Sequence, residues 1–193
     1  MSIQTRRERE RAERERLIVN AARELAETEG WDAVTTRRLA AEIEYSQPVL
    51  YTHFKGKDAI MAAVAVEGFA DMAARLRAAR TAADGPRAAL TAVAAAYTDF
   101  ARERPALYDA MFTHAVDLPF ATPDAPAALH AAFGELLHAV QPLAADDDPG
   151  ILTETFWAAL HGLATLTRSA RLPPDLHAHR LTLLIAHFAG ESD

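Results

Sequence analysis

Residues 35–57, Thr35-Thr36-Arg37-Arg38-Leu39-Ala40-Ala41-Glu42-Ile43-Glu44-Tyr45-Ser46-Gln47-Pro48-Val49-Leu50-Tyr51-Thr52-His53-Phe54-Lys55-Gly56-Lys57, read as two short helices joined by a tight turn. Thr35 or Thr36 can cap the first helix, because a hydroxyl there accepts a backbone N–H that has no partner inside the helix. Leu39, Ala40 and Ile43 then share one helical face. Glu44-Tyr45 interrupts the pattern. Ser46 is a second N-cap, and Pro48 falls in the first turn of the helix it opens, where a missing N–H is not needed. Tyr45 just before the cap and Leu50 as the fourth helical residue have the spacing of a hydrophobic staple. Leu50 and Phe54 face inward, which leaves Gln47, Tyr51, Thr52 and His53 to point elsewhere. A short helix with polar side chains and a tyrosine outside, held by a few apolar anchors, suits the major groove of double-stranded DNA.

The same stretch resembles the helix-turn-helix of the TetR family of bacterial transcriptional regulators. Thr35-Thr36-Arg37, Leu39-Ala40, Gln47-Pro48, Leu50-Tyr51, His53-Phe54 and Lys57 stand where that family's pattern puts them, and the resemblance runs over about residues 15–65. One position departs from it. The family has glycine in the turn where Glu44 stands, and a non-glycine residue in a left-handed turn costs roughly 1–2 kcal/mol. Either the turn differs or the core absorbs that strain.

Chemistry suggests a role for each outward side chain. Arg37 carries the planar fork that reads guanine O6 and N7, Gln47 can pair with adenine, and Pro48 can pack on a thymine methyl. The resemblance implies the same base contacts. Thr36, Tyr51, His53 and Lys57 are expected at phosphates, which set the register of the helix without reading sequence, and Thr52 completes the DNA-facing set. For Tyr51 a half-buried place against the first helix is the alternative, and for His53 a plain surface position. Arg38, on the opposite side, is expected in solvent.

Composition bounds the remainder. The chain has 193 residues, half of them hydrophobic, and no cysteine. A sizeable core is therefore available, and disulfides and thiolate zinc sites are excluded. The absence of cysteine fits a cytoplasmic location. The N-terminus is charged, and no apolar run approaches the roughly 18–20 residues of a membrane span. The net charge of −7 is unevenly spread. Residues 1–57 hold 11 Arg and Lys against 10 Asp and Glu, a balance of +1, which leaves −8 for residues 58–193. Phosphate attraction is local, because exposed charges beyond roughly 8–10 Å are screened, so the acidic part does not forbid DNA binding. The expected division is a DNA-binding domain over residues 1–57 and a ligand-binding and dimerisation domain over 58–193.

Before the motif, residues 1–16 alternate Arg and Glu. Residues 8–15 read as a solvated helix extension stitched by i,i+4 pairs; Arg6 and Arg7, at its start, can also be read as a basic arm reaching a phosphate or a minor groove. Leu17, Ile18, Ala21, Ala22, Leu25 and Ala26 form an amphipathic face ended by Gly30. Trp31 and Val34 are expected to close the small core over Leu39, Leu50 and Phe54. After Lys57 the pattern predicts helices over 59–80, 87–104, 106–116, 127–140, 151–171 and 176–189, with a Pro-rich loop over 117–126. No strand signal is present, so the fold class is all-α, a three-helix N-terminal domain followed by a helical domain, about nine helices in total.

Trp157 and His161 lie four apart on one helix face, with Gly162 beside them. Helix packing explains each of them singly; together they resemble the W-x-x-x-H-G motif of one C-terminal domain type of the same family. Phe156, Leu160, Leu163 and Leu166 on one closing helix, and Leu181, Leu184, Ile185 and Phe188 on the other, are expected to pair with a second copy. A homodimer has a physical reason as well, since two recognition helices roughly 34–36 Å apart reach successive major grooves of a near-palindrome. The resemblance also implies a pocket for a small effector. Tyr97, Tyr108, Met111, Phe112, His114, Phe133, Trp157 and His161 are its candidate lining, against the reading of the aromatics and methionines as plain core.

No nucleophile motif, Gly-rich phosphate loop or HExxH occurs, so an enzyme is not expected, and no cofactor or metal is assigned. Two rival readings are a metal-responsive regulator and a helical dimeric adaptor without DNA binding. The first rests on His177 and His179, which diverge by about 200° on a helix. The second rests on Glu44.

Overall fold

The computed structural model describes residues 3–114, 118–120 and 122–190. Among them every regular element is helical: α1 (Ile3–Glu29), α2 (Thr36–Glu42), α3 (Gln47–His53), α4 (Lys57–Thr81), α5 (Pro86–Glu103), α6 (Pro105–Phe112), α7 (Ala127–Val140), α8 (Pro149–Arg168) and α9 (His177–Ala189), with single 3-10 turns at Gln141–Leu143 and Pro174–Leu176. No helix among the described residues is long and apolar enough to cross a membrane.

Prolines start four of the elements predicted after Lys57. Pro86, Pro105 and Pro149 each open a helix, and Pro174 opens the turn before α9. Proline's fixed φ suits a first helical turn, and its missing N–H would be unpaired there in any residue. Asp148 also caps α8 by accepting the Ile151 N–H at 2.9 Å. α8 ends at Arg168, three residues before the predicted stop, because Ala170 takes a left-handed φ of 56° and turns the chain. The helix predicted over 106–116 has its regular part end at Phe112; residues 115–117 and 121, on which the rest of that expectation and part of the loop fall, lie outside the described residues.

The chain packs as two compact units that are not contiguous in sequence. One comprises Met1–Gly68 and Arg104–Pro126, the other Phe69–Glu103 and Ala127–Asp193. In the first unit Ile18, Ala22, Leu25, Val34, Leu39, Leu50, Ile60, Val64 and Leu107 are fully or almost fully buried. α6 is held firmly within it. The Glu27 carboxylate accepts the N–H groups of Ala106 (3.1 Å) and Leu107 (2.9 Å), and the Trp31 indole N–H donates to the Ala106 carbonyl at 2.7 Å. Trp31 therefore does more than close the three-helix core: its polar edge is tied to a helix 75 residues away in sequence. On α4, Gly68 is required by packing, since a Cβ there would lie 2.7 Å from Met111 Sδ and 2.8 Å from Leu107 Cδ1.

In the second unit α5 packs against α7, α8 and α9. Its core includes Leu90, Val93, Tyr97, Phe100, Leu136, Val140, Phe156, Leu160 and Ile185. Glu135 is 3 % exposed and is gripped from α4 by Arg77 at 2.8 Å and Arg80 at 2.8 Å. Burial alone would raise its pKa; the hydrogen bonds from Arg77 and Arg80 outweigh that and hold the carboxyl below its ordinary range.

Candidate nucleic-acid interface

Three local devices set the angle between α2 and α3. Thr35 caps α2 by accepting the Arg38 N–H on its hydroxyl at 3.1 Å. The turn closes through two backbone bonds, Tyr45 N–H to the Ala40 carbonyl (2.8 Å) and Glu44 N–H to the Ala41 carbonyl (3.3 Å), with Glu44 left-handed at φ 56°. This is the paired closure that ends helices ordinarily finished by glycine. The turn is thus of the ordinary kind, and Glu44 carries the strain in place. Ser46 occupies the cap position of α3 with extended backbone, yet its side chain accepts no cap hydrogen bond. Pro48, second in the helix, has no N–H to give, and the third N–H, on Val49, donates to the Ser46 carbonyl instead at 3.0 Å.

Leu50 anchors α3 at 1 % exposure, while Phe54 and Ile43 are half-buried. The opposite side of the helix is open. Gln47, Pro48, Val49, Tyr51 and Thr52 are exposed, and the Gln47 amide has no hydrogen-bond partner among the described residues. The Thr52 hydroxyl donates to the Val49 carbonyl at 2.7 Å, which leaves its lone pairs outward. Tyr51 is 55 % exposed, so it is not packed away, and its hydroxyl lies 3.4 Å from the Thr36 hydroxyl. Two residues given the same role from sequence, 15 positions apart, therefore stand at one spot. Arg37 is exposed with its guanidinium unpaired among the described residues.

Arg38 corrects an expectation. It is not simply solvated; it pairs with Glu29 at 2.8 Å and lies 3.8 Å from Glu42, tying α2 to the end of α1. His53 and Lys57 are also turned toward the protein. The His53 side chain is 7 % exposed, with Nδ1 3.4 Å from Glu15 Oε1, and the Lys57 ammonium donates to the Trp31 carbonyl. Glu15 in turn accepts Arg11 Nε at 2.8 Å, and this hydrogen bond is the main reason its carboxyl is held below the ordinary range. In this arrangement His53 ties the end of α3 to α1, and Lys57 ties the start of α4 to the link that follows α1. Two outward residues escaped the sequence reading, Val49, 38 % exposed beside Pro48, and Lys55, exposed just beyond α3. Lys55 could have been found from its charge at a helix end. Val49 carried no signal, because an isolated valine in a helix is by default core.

The candidate effector residues fall into two groups. Tyr108, Met111, Phe112 and His114 belong to the first unit, where Tyr108 and Phe112 are in ring contact at 4.7 Å and His114 meets the edge of Trp31 at 6.1 Å. Tyr97, Phe133, Trp157 and His161 belong to the second. There the Trp157 indole N–H donates to the Tyr97 hydroxyl at 3.0 Å, and burial, then Arg168, push the His161 pKa below its ordinary value. Of the eight residues expected at a dimer face, Phe156, Leu160 and Ile185 are buried within their own unit and are core, with Phe156 and Phe188 in ring contact at 5.1 Å. Leu163, Leu166, Leu181, Leu184 and Phe188 keep some exposure. Among the described residues no three His, Asp or Glu side chains come together as a metal site, and His177 and His179 occupy the first turn of α9.

Residues 18–64 match the family described as bacterial regulatory proteins, tetR family, and residues 90–188 match the tetracyclin repressor-like, C-terminal domain. The uncharacterized HTH-type transcriptional regulator YobS of Bacillus subtilis is 36 % identical over 96 residues, half of each chain. The tetracycline repressor protein class D of Escherichia coli is 46 % identical over 50 residues, 26 % of this chain and 23 % of that protein. The chain thus spans about half, or less, of the length of these relatives. A solved structure of a protein with unknown function from Rhodococcus sp. RHA1 is 26 % identical, with a TM-score of 0.77, covering 91 % of this chain and 93 % of that one.

Proposed function

The chain belongs to the TetR family of bacterial regulatory proteins, and from that premise we propose that it is a cytoplasmic, ligand-responsive transcriptional regulator that binds a near-palindromic DNA operator as a homodimer and represses until a small apolar effector releases it. Residues 1–57 read DNA and residues 58–193 bind the effector and dimerise; the first turns of α4 and the whole of α6 belong to the same compact unit as residues 1–57.

One observation carries the DNA-binding reading: the outer side of α3 is polar and uncommitted while its inner side is locked by Leu50. An unpaired amide and guanidinium in water are at little cost, and they are ready to meet base edges. Arg37 and Gln47 read bases, Pro48 and Val49 supply apolar contact to thymine methyls, and Thr36, Tyr51 and Thr52 hold phosphates. His53 and Lys57 serve by fixing helix ends and add phosphate contacts where their second donors reach outward.

Support for the dimer comes from α8 and α9. Ile151, Leu166 and Leu183 are exposed there, and a Cβ on Gly162 would meet nothing within 4 Å in its own chain. Leu163, Leu166, Leu181, Leu184 and Phe188 join this face, and Gly162 lets a partner helix come close. Within the second unit the effector meets Tyr97, Trp157 and His161 as polar handles beside Phe133. To release DNA it must bind better to a dimer whose recognition helices are wrongly spaced, since only differential affinity shifts such an equilibrium. Within the first unit α6 is fixed to the C-terminal end of α1 and the residues after it, because Glu27 and Trp31 hold its first turn.

Selection from random duplexes tests the reading. The expected result is a near-palindrome whose half-sites lie about one helical turn apart. Retention of no sequence over any other would refute it.

A further inference from the structure

The chain carries its positive charge almost wholly as arginine. Of its 20 Lys and Arg residues 18 are Arg, and the two lysines, Lys55 and Lys57, stand on either side of Gly56 where α3 gives way to α4. The two kinds of cation differ in what they can become. A guanidinium keeps its proton at any physiological pH, whereas a small fraction of lysine ammonium is always deprotonated, and the free amine attacks an activated acyl carbon. No cysteine is present to compete for the same reagent. Acyl chemistry on the side chains that gives a stable amide is therefore confined to three consecutive residues of the chain.

Within those three residues the two amines are held differently. The Lys57 ammonium donates to the Trp31 carbonyl, and the residue is half-buried. Freeing its lone pair would break that bond. Lys55 is exposed and has no hydrogen bond or ion pair among the described residues. It follows Phe54, whose extended backbone ends α3, and lies in a bend rather than a helix. The space beside that bend is open, since a Cβ on Gly56 would meet nothing within 4 Å.

We propose that Lys55 is an acylation site through which an activated acyl group, carried as an acyl phosphate or an acyl thioester, weakens DNA binding. The inference rests on the DNA-binding reading above and adds a means of regulating it. The neutral Nζ attacks the acyl carbon, the bond from that carbon to the phosphate oxygen or the thiol sulfur breaks with its electron pair on the leaving group, and the extra proton of the amine passes to water. Nothing is oxidised or reduced. The product is an amide without the positive charge. Residues 1–57 then fall from a balance of +1 to 0, and the loss lies two residues beyond the helix whose open side carries Tyr51 and Thr52. Because exposed charges act over only roughly 8–10 Å, a charge at this place weighs on DNA binding more than one elsewhere on the surface.

The test incubates the wild type and its Lys55→Arg variant with acetyl phosphate and, separately, with acetyl-coenzyme A. Peptide mass spectrometry maps the acetylated amines, and binding to the selected operator is measured before and after treatment, each protein serving as its own reference. At least one donor is expected to acetylate Lys55 ahead of Lys57, and the arm in which it does so identifies the donor. The treated wild type should bind more weakly, with a slope of log Kobs against log salt shallower by about 0.9 per protomer, while treated Lys55→Arg keeps its slope. Lys55→Gln, neutral from the start, should show the shallower slope without any donor. Acetylation of Lys57 first, no acetylation of Lys55 by either donor, unchanged binding by the modified wild type, or an equal loss in Lys55→Arg would overturn the switch alone. An untreated wild type that prefers no duplex over any other would overturn the DNA reading and the switch with it.

Discussion

α3 and α8 each leave one side uncovered, and the two sides mix polar and apolar groups in different proportion. On α3 the open side carries Gln47, Tyr51 and Thr52 around the smaller apolar Pro48 and Val49, with Arg37 exposed on α2. On α8 it carries Ile151, Ala158 and Leu166 with half-buried Gly162, alongside the exposed Glu154, Thr155 and Thr165. The apolar share is the larger on α8, so what each side gains from a partner differs. A polar side gains direction and selectivity, because the wrong partner leaves its groups unpaired. An apolar side gains area, at about 25 cal/mol per Å² removed from water. The contrast is the one that the proposed roles require, DNA for α3 and a second copy of the chain for α8.

Substitutions break or sharpen this contrast. The largest effect belongs to α8's inner side. Leu160→Ala should lower stability by about 2–5 kcal/mol through the cavity it leaves, with a denaturation midpoint shift that is the same at all protein concentrations, because Leu160 is core and touches no partner. Leu166→Glu, on the outer side, should instead weaken association by about 1.5–3 kcal/mol, read as a concentration-dependent shift toward monomer in sedimentation, with the monomer's helix content intact. Were the two variants to behave alike, the division of α8 into inner and outer sides would fail. On α3, Gln47→Ala should cost about 1–3 kcal/mol at one base pair and relax selectivity there, while Tyr51→Phe weakens all duplexes alike. Equal losses on operator and random DNA for both would remove base reading from α3. The smallest effect lies in the turn between α2 and α3. Glu44→Gly removes left-handed strain of about 1–2 kcal/mol and gives back about half of it in unfolded-chain entropy. A slight rise in melting temperature with unchanged operator preference is expected, and a fall would mean that Glu44 makes a contact worth more than its strain.

Much of this was legible in the chain itself. Period-3.6 patterning, prolines at helix starts and the run from Thr35 to Lys57 were enough to place α2 through α5, because each of those signals is local. Thr35 was one of two caps that the sequence allowed, and a left-handed Glu44 one of two ways to make the turn; the structure selects both. Ser46 stands at the cap position read from the sequence, but its side chain makes no cap hydrogen bond, and the Val49 N–H goes to its carbonyl. Arg38, His53 and Lys57 were different. Each was assigned by helix position alone, and each is held by a group distant in sequence: Glu29, Glu15 and the Trp31 carbonyl.

By itself the sequence determined an all-helical chain with a helix-turn-helix and an acidic second part, since helix propensity, capping and charge are properties of neighbours along the chain. Only the tertiary structure decided that Phe156, Leu160 and Ile185 are core while Leu166 and Leu183 are surface. It alone decided that α6 packs with α1. Two leucines on one amphipathic helix look the same in a pattern. Which of them lies against a neighbour depends on where the other helices come to rest, and that is fixed by the packing of the whole core.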